Sequence, residues 1–474
     1  MEKVKFYLIT DLHYYAPELG TSGKAYIKRE IQDQVVLKES GAVIDAAIDL
    51  IIADKETNIV LIPGDLTNNG EALSHRGVIE KLQRLKDSGK KVYVTTATHD
   101  FNSYERFPEY SSESCYFGEE KTPAEPTPRE ALAEMYRPFG MGDAISIEEE
   151  SMSYAVMLGK KTRLLALNDD GNGRSFCGYF PKCIDWIKKQ AEEAAANHET
   201  VFAMTHHPLL PPMELYPVIS QRDMLGDYKK MAAFLSDLGI GIIFTGHTHE
   251  QNVKFIETEK GNRIYDVNTA SLVGHPSPIR KIELSQKEVK IETLHIDTFD
   301  GLPSGMSVKE FFIRKFDTLV LGGIDAAVND HEKLADILNG LSVPRSFVDN
   351  NTFLIKAVGK ILDNVTVGTV SKLIGSRADY TDIKNMKVKN LVADVIRNLY
   401  GGEQLYAPGT AEYEATMGLV HKLLELAKKI ISKEKHPEIV NSFSLYIRYI
   451  SEILYDGGFD DNNCVLPLIT GRKS

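Results

Sequence analysis

Gly241-Ile242-Ile243-Phe244-Thr245-Gly246-His247-Thr248-His249 decides how the rest of this chain is read. Gly241 to Thr245 is a short apolar run of β-branched and aromatic residues bounded by glycine, which reads as a buried strand. Two histidines follow at once, two residues apart. In extended chain such residues point to the same side, so His247 and His249 can face a common centre. Ligands of open α/β sheets bind beyond the C-terminal ends of strands. Gly-His-x-His in that place is the strongest single signal for a metal site in the sequence.

Working outward, the same arrangement recurs. The apolar strand Lys5 to Thr10 ends in Asp11-Leu12-His13. Gly64-Asp65 follows a strand at Asn58 to Ile62, and His99-Asp100 follows one at Lys91 to Ala97. A strand at Thr200 to Thr205 ends in His206-His207-Pro208. Alone, Asp-x-His or Gly-Asp serves as readily as a turn or cap. As an ordered set at successive strand ends, they describe a metal site. Mixed oxygen and nitrogen donors suit Zn, Mn or Fe better than Ca or Mg. The spacing fits two ions better than one, with a carboxylate such as Asp65 able to bridge ions about 3.5–4 Å apart.

Between these motifs the spacing predicts helices over Val43 to Ala53, Glu71 to Lys86, Pro181 to Ala196 and Tyr228 to Leu238. Ser153 to Leu158 and Thr162 to Leu167 read as strands, and Asn262 to Val267, Ile279 to Leu284 and Val289 to Ile296 as a closing β-meander. Phe101 to Glu150 interrupts the alternation, apart from a short helix near Arg129 to Tyr136. After Asp300-Gly301-Leu302-Pro303-Ser304-Gly305 the pattern turns helical, with apolar stripes at Leu419, Leu423, Leu426 and Ile430 and at Phe443, Ile447 and Ile450. The expected organisation is an α/β catalytic domain over residues 1–300 and an all-helical domain over 301–474.

Composition narrows the function. With 55 Lys plus Arg against 67 Asp plus Glu, the 474-residue chain carries a formal charge of −12. That disfavours non-specific nucleic-acid binding and leaves room for a small phosphorylated substrate held by a metal. Four sparse cysteines (Cys115, Cys177, Cys183, Cys464) read as reduced thiols rather than a disulfide framework. No run is long and apolar enough for a transmembrane segment, and Met1-Glu2-Lys3-Val4-Lys5 lacks a signal-peptide pattern, so the expected location is cytoplasmic. Nothing in the sequence sets an oligomeric state.

The ordered motifs resemble the calcineurin-like metallophosphoesterases over about residues 4 to 295. That family carries Asp-x-His, Gly-Asp, Gly-Asn-His-Asp, His-x-Pro and Gly-His-x-His in this order. Gly64 to Gly70 and Val267-Asn268-Thr269-Ala270-Ser271 also look like family segments. The resemblance implies a four-layer α/β/β/α sandwich and hydrolysis of a phosphomonoester or phosphodiester by a metal-bridging hydroxide, with two transition metal ions (Mn, Fe or Zn). Asp11, His13 and His249 would hold the first ion, His206 and His247 the second, and Asp65 would bridge. His99 would meet the phosphate or protonate the leaving oxygen, and Asp100 would orient it by a hydrogen bond. One position departs: Ala97-Thr98-His99-Asp100 puts Thr98 where the family has Asn, a shorter neutral donor for the second ion. Asn102 lies near enough in sequence to substitute. The rival reading is a binding or scaffolding protein on the same fold with an incomplete second metal site.

Lesser candidates read more plainly. His207 is expected as a packed histidine behind the metal ligands. Asn168, Asp169 and Asp170 are expected as turn formers, Arg174 as a solvated loop residue, His75 as solvated on a helix face, and Glu148-Glu149-Glu150 as an exposed turn. His275 is a minor candidate for lining the pocket.

Overall fold

The computed structural model describes residues 2–101, 115–169, 177–219, 223–340, 345–375, 377–430 and 443–468. The chain divides into two compact units, Met1–Pro212 with Gln221–Lys315 and Asp461–Ser474, and Met213–Ser220 with Phe316–Asp460.

In the first unit, β1 (Lys3–Leu8) is followed by α1 (Gly23–Gln32) and α2 (Ser40–Ala53), then β2 (Ile59–Pro63), α3 (Ala72–Asp87) and β3 (Lys91–Thr95). The three strands run parallel in one sheet. After α4 (Arg129–Met135), a second sheet is built from β4 (Ser146–Glu148), β5 (Ser153–Met157), β6 (Thr162–Ala166) and, beyond α5 (Pro181–Ala196), β7 (Thr200–Met204). The short α6 (Tyr216–Ile219) belongs to the second unit. The sheet resumes after α7 (Tyr228–Asp237) with β8 (Ile242–Thr245), β9 (Asn252–Glu257) and β10 (Arg263–Asn268), in the order β4-β5-β6-β7-β8-β10-β9. The chain then returns to the first sheet through β11 (Ile279–Ser285) and β12 (Glu288–Leu294), antiparallel to β1 and to each other.

Alternation along each strand separates the layers. Phe6, Leu8 and Leu61 point into the space between the sheets, where Phe6 stacks on Phe202 at 5.6 Å and meets Phe244 edge-on at 5.4 Å. Tyr7, Ile9, Val60 and Ile62 point the other way, onto Ile44, Ile48, Val78 and Leu82 of α2 and α3. Leu165, Ala203 and Ile243 face Ile187 of α5 and Leu235 of α7. The result is the expected α/β/β/α order of layers. Burial on both faces is why β2 reads as an unbroken apolar run. Each such fully buried side chain contributes roughly 1.5–3 kcal/mol.

The boundaries differ from the expected 1–300 and 301–474. Phe312 packs into the first unit's core with Val308 and Phe299, so that unit extends into α8 (Val308–Asn329). At the other end, Asp461 onward returns to it. Arg280 is fully buried and donates Nη1 to Asp461 O (2.7 Å), Nη2 to Asn268 O (2.9 Å) and Nε to Thr269 Oγ1 (3.0 Å).

Beyond residue 316 the regular elements described in the second unit are all helices, joined by turns. Its helices include α9 (His331–Gly340), α10 (Arg345–Asn364), α11 (Val367–Ile374), α12 (Val388–Tyr400), α13 (Ala411–Ile430) and α14 (Phe443–Leu454). Val367, Leu391, Val395, Met417 and Leu454 are buried in one cluster, with Ile447 and Ile450 packed on it. Leu419 is buried with Leu423 against it, whereas the side chains of Leu426 and Ile430 lie outside the described set. The last strand, β13 (Cys464–Pro467), pairs with β12 and completes the first sheet in the order β13-β12-β11-β1-β2-β3.

Candidate metal centre

Asp11 and His13 follow β1, Asp65 follows β2, His206 follows β7, and His247 and His249 follow β8. Their ligand-type atoms converge. His206 Nε2 lies 2.9 Å from Asp65 Oδ2, His249 Nε2 lies 3.3 Å from Asp11 Oδ1, and His13 Nε2 lies 3.7 Å from Asp11 Oδ1 and 3.8 Å from Asp65 Oδ2. His13 and His249 bring Nε2 atoms to 3.1 Å, and His247 Nδ1 is 3.2 Å from His206 Nε2. Three overlapping groups result: Asp11, His13 and His249; Asp11, Asp65 and His206; and His206, His207 and His247. Donors about 2.0–2.2 Å from a shared ion sit roughly 3–3.5 Å from one another, so the set fits nitrogen and oxygen ligation of a transition metal.

The backbone that achieves this is not the extended chain expected for residues two apart. Asp11, His13, Asp65, His247 and His249 all have left-handed φ, from 36° to 72°. Turns, not pleats, aim the side chains. Such conformations cost of order 1 kcal/mol or more each and persist where surroundings over-determine them. Two glycines supply the close approach. A Cβ on Gly246 would fall 2.3 Å from Asp11 Oδ2, and one on Gly64, at φ +94°, would fall 2.6 Å from His206 Nδ1.

Hydrogen bonds orient the donors. His206 Nδ1 donates to Pro63 O at 2.8 Å, which leaves Nε2 to face the carboxylates. Asp11 Oδ2 accepts from Thr10 Oγ1 (2.8 Å) and from the His247 N–H (3.1 Å), and Asp65 Oδ1 accepts from the His99 N–H (3.0 Å). Both carboxylates are fully buried. Burial works to raise their pKa, but the histidines around them hold both below the usual carboxylate range. For His206 burial opposes charge, yet Asp65 and Asp11 outweigh it and push the ring up to about 10. The site is therefore a place where a positive charge is stabilised.

The remaining expected residues fall out as follows. His99 adjoins the cluster, its ring 4.9 Å from that of His13, and burial pushes it down to about 4. Its Nδ1 lies 2.7 Å from Asn68 O. The expected Asp100–His99 hydrogen bond is replaced by a different arrangement. Asp100 Oδ1 accepts from the N–H groups of Leu66 (2.8 Å) and Thr67 (2.9 Å), and Oδ2 from that of Ala97 (2.9 Å), so Asp100 ties two loops together. Thr98 is buried, and its Oγ1 has no protein hydrogen-bond partner.

His207 packs its ring 4.2 Å from that of His247, and its Nδ1 donates to Asp169 Oδ1 at 2.8 Å. Asp169 is thus no turn former: it is buried, and also accepts from Thr205 Oγ1 and the His207 N–H. Asn168, also buried, donates to Thr96 O (3.0 Å). The strand-end position that singled out the candidate ligands was the available signal for both. His75 is fully buried rather than solvated, between Tyr136 Oη (2.6 Å) and Asp100 O (2.7 Å). His275 is buried and joins none of the ligand groups among the described residues. Asn102, Asp170 and Arg174 lie outside the described residues.

A family model for the calcineurin-like phosphoesterases matches residues 4–251. The chain belongs to the calcineurin-like phosphoesterase family. Solved structures similar to it include a dimetal phosphatase from Danio rerio, at 11% identity and a TM-score of 0.42, covering 65% of this chain and 99% of that one. A purple acid phosphatase from yellow lupin (Lupinus luteus) is similar at 14% identity and a TM-score of 0.36, covering 65% of this chain and 52% of the lupin protein. No curated protein matches. Among the described residues no helix is long and apolar enough to cross a membrane.

Proposed function

We propose that this phosphoesterase-family chain hydrolyses a phosphomonoester or phosphodiester of a small molecule at a two-metal centre. The reading is carried by one observation: six side chains from four strand ends bring their ligand atoms together in overlapping groups linked through Asp11 and His206, with Asp65 between them. Asp11, His13 and His249 would hold the first ion, and His206 and His247 the second. Asp65, whose Oδ2 faces His206 and His13 together, would serve both ions. Thr98 supports the second position, since its hydroxyl is buried beside His99 without a protein partner. Bound metal ions of the Mn, Fe or Zn class supply a lowered water pKa and positive charge against the phosphoryl oxygens.

The chain's own residues do the rest. His99 commits Nδ1–H to Asn68 O, so its other nitrogen accepts in the neutral ring and donates to the ester or leaving oxygen only when the ring takes up a second proton. Asp65 holds the His99 backbone through its N–H, so the bridging carboxylate and the hydrogen-bonding imidazole keep a fixed relation. Asp100 ties together the two loops that carry them. The test is metal analysis with hydrolysis of p-nitrophenyl phosphate and bis(p-nitrophenyl) phosphate in added Mn, before and after chelation. Hydrolysis that requires metal and disappears in Asp65→Asn is expected. Hydrolysis indifferent to chelator would overturn the reading.

A further inference from the structure

A cavity of about 740 Å³ opens beside His99, within the size range of small-ligand sites. Asn68 and His99 form the side nearest the metal ligands, and α1 contributes Lys28 and Arg29. Lys121 adds a third cation, with Glu119 and Glu120 the two carboxylates on the lining. Cations therefore outnumber acids here, although the chain as a whole carries −12. A local positive surface in an acidic protein concentrates anionic ligands.

Arg29 is placed to recognise rather than only to attract. Its guanidinium is partly buried and held from two directions, by an ion pair with Asp33 one turn on and by Nη2 donating to Asn68 Oδ1 at 3.3 Å. Asn68 is itself pinned, its Nδ2 donating to Glu71 Oε1 at 2.8 Å while its backbone oxygen receives His99 Nδ1. One residue thus touches both the imidazole beside the metal ligands and the guanidinium on the cavity wall. A planar, pre-oriented guanidinium is suited to phosphate or carboxylate oxygens, and Lys28, exposed on the preceding position of α1, adds charge without geometric demand.

We infer that this cavity holds the part of the substrate beyond the scissile phosphate, and that Arg29 with Lys28 selects substrates bearing a second anionic group. The inference rests on the phosphoesterase reading, which is tested separately by the metal-dependent hydrolysis above. The probes are propane-1,3-diol bisphosphate and propyl phosphate, titrated by calorimetry into manganese-loaded full-length protein. Wild type should bind the bisphosphate tighter by roughly tenfold or more, the usual worth of an added charge-assisted contact. Arg29→Met should bring that ratio close to one, and Lys28→Met should lower it severalfold. Circular dichroism checks that Arg29→Met is folded, and Lys28→Met, which removes an exposed side chain, tests the charge if it is not. Equal affinity for the two probes in wild type, or a ratio untouched in both variants, would overturn the inference. Such a result would leave metal-dependent ester hydrolysis standing, so the two failures are distinguishable.

Discussion

Asp65 and Asp100 are both buried carboxylates at the ends of neighbouring strands, yet their surroundings obey different rules. Asp100 meets donors: backbone N–H groups of Leu66, Thr67 and Ala97. Its neighbour His75 is equally satisfied, Nε2–H donating to Asp100 O and Nδ1 accepting from the Tyr136 hydroxyl. Asp65 accepts from the His99 N–H on Oδ1 and turns Oδ2 toward the ring nitrogens of His206 and His13, which also face Asp11. A closed network of matched donors and acceptors holds a fold. A convergence of imidazole and carboxylate groups, kept by left-handed backbone, is the arrangement expected of a cation site. The difference between the two regions can be broken by substitution.

The largest effect belongs to the open network. Asp65→Ala removes a donor from both proposed ions. Activity should fall below detection, and metal affinity should drop by more than the roughly 10–100-fold lost when a ligand's outer partner is removed, so that metal content falls. Elemental analysis after gel filtration checks this. Two ions retained at full occupancy would remove Asp65 as the bridge.

His99 sits at the border and should behave like neither network. His99→Ala is expected to keep its metal while kcat falls by ~10²–10⁴-fold, the usual contribution of a positioned acid or base. The loss should shrink for esters with good leaving groups if His99 protonates the leaving oxygen. Metal loss on substitution would move His99 into the ligand set.

The closed network should show itself in stability. His75→Phe leaves the Tyr136 hydroxyl and Asp100 O without their partner, at about 1–3 kcal/mol, with metal content unchanged. Burial lowers the His75 pKa from its ordinary value to about 4, against a smaller opposing effect of Asp100 O. Between that value and an unfolded pKa of about 6.5 the unfolded chain binds more protons. This contribution is therefore fully present above about pH 6.5 and is lost as pH falls through about 4, up to about 3 kcal/mol. Denaturant titrations from pH 7 to 5 should give a flatter pH dependence for His75→Phe than for wild type. Parallel curves would mean the ring is not held neutral.

His75 also shows where the sequence could be read and where it misled. Val78, Leu82 and Leu85 lie on the buried face of α3, and position 75 is three before 78 on that face. The register put His75 inside, and the polarity of its side chain obscured it. Asp169 was hidden in the same way, because a strand-end aspartate has the composition of a turn. The candidate ligands were legible because a strand end followed by His or Asp is a local pattern. The left-handed turns that aim them were not, since φ is fixed by contacts such as Gly246 against Asp11. β13 was invisible for a related reason: four residues ending in proline mean little until Arg280 holds Asp461 just before them and β12 pairs with them.

Thr98 gives the smallest effect and the sharpest test of the division, because it has a foot in each region. It belongs to the loop that Asp100 ties down, yet its buried Oγ1 has no protein partner, unlike Thr67, whose Oγ1 donates to His99 O at 2.8 Å. If the hydroxyl belongs to the closed network, Thr98→Val relieves an unsatisfied group and does nothing else. If it supports the second ion, the two substitutions available must act oppositely. Thr98→Val should raise the thermal stability of chelated protein slightly, by up to about 1 kcal/mol, and weaken metal binding. Thr98→Asn extends a neutral oxygen by one atom and should tighten the second ion by roughly 1–2 kcal/mol, about the worth of a strong hydrogen bond. The first ion, assigned to Asp11, His13 and His249, should be little affected in either variant. Metal titration followed by rate at limiting metal reads both. Half-maximal rate should require the most metal in Thr98→Val, less in wild type and least in Thr98→Asn. One midpoint shared by all three proteins would place Thr98 with Asp100 and His75, among the residues that hold the loop and leave the ions alone.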